Sequence, residues 1–160
     1  MILCVLEGMV LCFILLLVCV INIQNGPVGG VHYYEQPVID RVVELGLITR
    51  EEIAKNRNIS GLVLLSGMLI LAPFMAFGVN GASGFKEGFI QLTVMYMITG
   101  LFDRIFIDWY WVGHTRAWII PGTEDLMPYI GRDSWIKKIT ATVVLYPVLA
   151  ALISLIFSLF

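Results

Sequence analysis

Residues 139–160 read ITATVVLYPVLAALISLIFSLF, twenty-two residues without a charge. A hydrocarbon core about 30 Å thick takes roughly 20 residues of helix at about 1.5 Å per residue, so this stretch is long enough to cross it. In lipid a lone segment must satisfy its own backbone N–H and C=O groups, and a helix does so. Three runs of similar length and composition precede it. Residues 1–23 are broken by Glu7 and Asn22, residues 59–79 by Ser60 and Ser66, and residues 88–108 by Gln91, Thr93, Thr99, Asp103, Arg104 and Asp108. None alternates apolar with polar, as the shorter strands of a membrane barrel do. The fold expected is all-α: one integral membrane domain of four transmembrane helices, spans 1–23, 59–79, 88–108 and 138–160, with loops 24–58 and 109–137. The first run lacks a positive leader and a small-residue cleavage site, so it is expected to stay in place as a span and not as a cleaved signal peptide.

Composition points the same way. Over 160 residues, 59% are hydrophobic and only 14% charged, against roughly 25% charged in soluble domains. The net charge of −2 and the lack of a basic stripe speak against a nucleic-acid partner. Of the 10 basic residues, Arg41, Arg50, Lys55 and Arg57 lie between the first two runs. Arg104, Arg116, Arg132, Lys137 and Lys138 lie at or after the end of the third, and Lys86 alone lies in the connection between. Positive loops stay in the cytoplasm. The expected protein is therefore a multi-pass cell-membrane protein with both termini outside and both long loops cytoplasmic.

The first long loop carries helical signals. Pro37 suits a first helical turn. Val38, Ile39, Val42, Val43 and Leu45 recur at helical spacing, and Gly46 fits a C-terminal stop. Thr49 with Glu52 reads as a capping box that opens a second short amphipathic helix, Arg50 to Arg57. The apolar face of the first should lie on the membrane surface or on the other loop. Pro73 should kink the second span.

The second long loop holds all 4 tryptophans. Trp109, Tyr110, Trp111 and Trp135 fit an interfacial belt. Trp118 and Tyr129, placed mid-loop, point to a segment folded against the headgroups.

Candidate functional residues gather at this face. Asp103 shares a helical face with Tyr96 and Thr99, and an acid inside a span faces the bundle interior and finds a partner. Arg104 and Asp108, four apart, can pair along the helix. His114, Asp108 and Asp103 are the candidate catalytic residues, with a histidine as acid or base and the carboxylates as its partners. His32, Glu35, Arg116, Trp118, Glu124 and Asp125 are the candidate binding residues. The histidines match no metal-ligand spacing, and Cys4, Cys12 and Cys19 sit alone in an apolar run. No metal and no cofactor is expected. Glu7 is expected to reach outward to the polar surface, with contact to another helix or a second subunit as the alternative.

Gly100-Leu101-Phe102-Asp103-Arg104, followed by Asp108, resembles one motif of the prolipoprotein signal peptidases over fewer than ten residues. That family needs a second acid from its last span, toward the outer face. The last span here has no carboxylate and Asp103 lies toward the inner end, so the family is set aside. The stretch WYWxGHTRxWxIPGTED is similar to small bacterial inner-membrane proteins, a likeness that carries no activity. The expected function is a binding or accessory role at the cytoplasmic membrane interface. The alternatives are an enzyme acting on a lipid or lipid-linked substrate, or a small transporter or channel subunit using Tyr96, Thr99 and Asp103. Expected partners are membrane lipids, a second copy of the chain or another membrane protein.

Overall fold

The structure, a computed structural model, describes residues 1–159. Among these residues all regular structure is helical. Four helices are long and apolar enough to cross a membrane: α1 (Ile2–Ile23), α3 (Arg50–Val79), α4 (Gly84–Val112) and α5 (Arg132–Phe157). A shorter helix, α2 (Gln36–Glu44), lies in the first long connection after a single tight-turned stretch, Pro27–Tyr33.

α2 begins as its sequence dictates, with Pro37 in the first turn, and ends before Gly46, whose φ of 69° is a left-handed geometry suited to glycine. Thr49 and Glu52 form the reciprocal capping box. The helix that this box opens does not stop at Arg57: it continues into the span as one rod to Val79. Nothing between Arg57 and Ile59 breaks a helix, so the expected short helix and the second span are one element. Pro73 is fully buried and keeps helical backbone angles, and the turns on either side of it widen to i→i+5 bonding. That widening accommodates the amide hydrogen proline lacks. α4 also runs past its expected end. From Phe102 to Val112 it winds in wide turns, so Asp103, Arg104 and Asp108 all lie on helix. α5 starts early, at Arg132.

α4 is central, packed against α1 on one side and α5 on the other. Gly100 permits the second contact. A Cβ there would lie 2.4 Å from Cγ2 of Thr142 and 2.5 Å from the Tyr146 ring. α3 leans on α1 and on segment 27–33, and meets α4 with its last turns.

The two long connections fold together into a cap over one end of the bundle. Val31, Val42, Trp118, Ile120 and Tyr129 are fully or almost fully buried there, beside Val38 of α2. Tyr34 donates to the Trp118 carbonyl at 3.3 Å, and the Gly131 amide donates to Glu35 at 2.9 Å. The Ile120 amide donates to the Tyr129 hydroxyl at 2.8 Å. Gly30 lets the indole close in, since a Cβ at that residue would sit 2.6 Å from the Trp118 ring. Trp118 and Tyr129 therefore form the core of the cap. Of the two surfaces expected for the first loop's helix, the structure shows the other loop.

Replacing Gly100 with Ala must part α4 from α5 or shift Tyr146. Overpacking of this kind costs about 1–3 kcal/mol, so thermal unfolding of the purified Gly100→Ala protein should show a clearly lower midpoint than that of the wild type.

Candidate functional site

Beneath the cap, the wide turns of α4 and the first turns of α5 bring four charged side chains together. The Arg104 guanidinium pairs with Asp103 through one terminal nitrogen and with Asp108 through the other. Lys138 of α5 reaches the same Asp108 oxygen at 3.4 Å. The Trp135 indole donates to the Arg104 carbonyl at 2.7 Å, tying α5 to α4 a second time. Asp108 is the most enclosed member, its side chain 7% exposed. Burying an ion costs several kcal/mol unless it is paired and bonded, and each carboxylate here has a cation.

This cluster closes one end of a cavity of about 380 Å³. Its other walls are apolar or aromatic: Leu15 and Cys19 of α1, Leu64 of α3, Tyr146 of α5 and Trp118 of the cap. Leu145 and Ala141, exposed on the outside of α5, stand at its mouth. The cavity thus opens sideways between α3 and α5. A small recess of about 70 Å³, again lined by Asp103, Leu15, Leu64 and Tyr146, adds Gly67 and Ile14. Those two residues also line an apolar groove along α1 and α3 that reaches Phe74. The first cavity, the recess and the groove are thus neighbours along α1 and α3.

A second cavity, about 580 Å³, lies on the far side of Asp108, between the end of α4 and the start of α5. It is lined by Asp108, Trp109, His114, Pro128, Arg132 and Trp135 among others. Nδ1 of His114 lies 2.6 Å from the Trp109 carbonyl. Only a donor satisfies a carbonyl, so Nδ1 carries a hydrogen and Nε2 is the nitrogen left free of that contact.

The structure brings Asp103 and Asp108 together, and puts His114 on a cavity that shares Asp108. The remaining candidates lie elsewhere. Glu35 accepts from the Gly131 amide; the Ser134 side chain first, and that amide second, hold its carboxyl below the usual range. Glu124 accepts from the Gly122 amide at the loop tip, and Asp125 pairs with Arg41 at 3.3 Å. Arg116 is exposed. Trp118 lines the first cavity as part of the cap core. His32 lies beside Tyr33 with the two rings tilted by 42°. Burial pushes its pKa below 6.5, against a backbone hydrogen bond with Gly29 that raises it, and Arg57 adds to the lowering. Among the described residues no three of His, Cys, Asp and Glu come together in a form that could hold a metal ion.

The Tyr96, Thr99 and Asp103 face does not form a polar file. Tyr96 donates to the Met68 carbonyl and Thr99 to the Met95 carbonyl at 2.9 Å. Glu7 takes the alternative expected for it, contact with another helix, and does not reach outward: it is 7% exposed and accepts from Asn80, just past α3, at 2.8 Å, and Asn80 also donates to Gln91. The sequence marks Arg104 as a pairing residue but not the contacts of Lys138 and Trp135 with it and Asp108. The signal available for Lys138 was a cation just before an apolar run whose neighbouring helix carries two acids.

Comparison with family models, curated proteins and solved structures finds no match.

Two outcomes follow. Asp108→Asn removes a buried partner from two cations, a change that costs on the order of 3 kcal/mol. Adding Lys138→Met should recover part of that loss, giving a clear non-additivity in chemical unfolding. His32 has a folded pKa below its unfolded one, so its contribution is complete above pH 6.5 and declines as pH falls below that value. Between about pH 7 and about pH 5 the fall in melting midpoint should be larger in the wild type than in His32→Phe. Glu35, whose ordinary pKa is 4.5, acts only at lower pH.

Proposed function

We propose that the protein crosses the membrane four times with both termini outside and the cap on the cytoplasmic side, and that it binds a membrane amphiphile in the cavity between α3 and α5. The observation that supports this reading is a cavity polar at one end and apolar over the rest, with the exposed apolar Leu145 on its rim. A volume of about 380 Å³ is in the ordinary range of ligand sites. The polar end of the amphiphile would meet Arg104 and its neighbours. The chain would leave past Leu64 and Tyr146 toward the groove along α1 and α3. Nine of the 10 Lys and Arg residues on the capped end support its cytoplasmic placement.

A second reading, an enzyme acting on that amphiphile, is favoured by one observation. Asp108 is the common wall of both cavities, and His114 in the second has Nε2 free of the Trp109 contact. In that case His114 acts as base and Asp108, through Arg104 and Lys138, fixes the site.

The test of binding is the lipid retained by protein purified in mild detergent, counted by native mass spectrometry. Wild type should keep one amphiphile per chain. Ala141→Trp, which plugs the mouth from an exposed position, should lose it while its helical circular dichroism stays unchanged. An empty wild-type protein, or equal retention in the variant, contradicts the reading. For the enzyme, His114→Ala should abolish conversion of the retained lipid without releasing it.

A further inference from the structure

The second cavity, about 580 Å³, is the larger of the two that share Asp108, and its charges do not balance. Its charged lining residues are Asp108 and Arg132. Asp108 is already engaged by Arg104 and Lys138. Arg132 forms no ion pair among the described residues. Two acids are close to it along the chain or across the cap: Asp133 follows it, and Glu35 accepts from the amide of Gly131 just before it. Neither takes the guanidinium, which therefore keeps its five N–H donors for another partner. His114 lines the same cavity. Its Nδ1 is committed to the Trp109 carbonyl, and Nε2 is left free of that contact.

Such a lining recognises an oxyanion. A guanidinium fork takes two oxygens of a carboxylate or a phosphate in parallel. A carboxylate has then used both of its oxygens. A phosphate monoester has a third, and its second pKa of about 6 leaves that oxygen available with or without a proton near neutral pH. It can accept from Nε2 of a charged imidazole or donate to Nε2 of a neutral one. The rest of the lining favours a phosphate carried on a lipid. Trp135, Met127 and Ile130 are apolar walls, and Trp109 is 52% exposed at the end of the α4 span, where an aromatic side chain suits the headgroup layer.

We propose that the second cavity is a separate site for a lipid phosphate monoester, with Arg132 and His114 on the phosphate oxygens and the acyl chains leaving over Trp109. This goes beyond the amphiphile reading of the first cavity and does not depend on it.

The test titrates the full-length protein, stripped of lipid in mild detergent, and counts bound ligand by native mass spectrometry. The probes are dioleoyl phosphatidic acid, dioleoylglycerol, which has the same chains without the phosphate, and glycerol 3-phosphate, which has the head without the chains. Wild type should bind phosphatidic acid, and glycerol 3-phosphate much more weakly. Arg132→Gln, at an exposed position, should weaken phosphatidic acid about tenfold or more, the worth of one charge-assisted pair, and leave dioleoylglycerol unchanged. Lys137→Gln, at an exposed cation of the same helix that lines neither cavity, should do far less. The Arg132 effect should persist in Ala141→Trp, where the first cavity is plugged. Failure of wild type to bind phosphatidic acid, unchanged binding in Arg132→Gln, or an equal loss in Lys137→Gln overturns the site. Disappearance of the Arg132 effect in Ala141→Trp assigns it to the first cavity and overturns the separate site. Glycerol 3-phosphate bound as tightly as phosphatidic acid overturns the lipid source. The first cavity is judged by the lipid lost on Ala141→Trp and the second by the phosphate preference lost on Arg132→Gln, so the two readings fail separately.

Discussion

The guanidinium of Arg104 bridges two carboxylates of its own helix, and one of these, Asp108, also receives Lys138 from α5. This contact joins α4 to α5 just below the cap, where the α3 side of the bundle is open. Ionic groups placed among apolar helices are stable only as a set. Two acids and two bases make such a set with no net charge; loss of Arg104 strands Asp103, and loss of Asp108 strands Lys138. The wide turns of α4 from Phe102 to Val112 present the three α4 members toward one side, and wide turns of this type are frequent at functional positions.

The cap explains why the cavity exists. Trp118, Tyr129 and Val31 are buried against each other, with α2 packed over them. The indole can occupy its place only because residue 30 has no side chain. The cap thereby hangs a rigid aromatic wall over the gap between α3 and α5 instead of letting the helices collapse into it. At the opposite end Gly88 draws α4 close to Phe77 and Ser154, so packing is tight there. The Glu7, Asn80 and Gln91 cluster holds that far end, and neither cavity lined by Asp103 includes any of the three.

How much of this was legible follows from the range of each interaction. The spans could be read because hydropathy is a property of consecutive residues, and the Thr49–Glu52 box because its partners are three apart. Arg104 with Asp108 is likewise local. Glu7 with Asn80 is a contact across 73 positions, and Lys138 with Asp108 one across 30, so neither leaves a pattern along the chain. The burial of Trp118 is of the same kind: only the partner loop, supplying Gly30 and Tyr34, makes it core. The helix boundaries moved because polar residues such as Arg50 or Arg132 end an apolar run without ending a helix.

The most direct measurement is photolabelling in the native membrane with an amphiphile carrying a diazirine part-way along its acyl chain, followed by peptide mapping. The account predicts adducts concentrated on the residues that line the first cavity and its recess, Leu64, Gly67, Leu145 and Tyr146, and their loss when excess unlabelled lipid is present. Adducts spread evenly over the outward faces of α1 and α5, at positions such as Leu6 and Leu155, with none in the cavity, would contradict it.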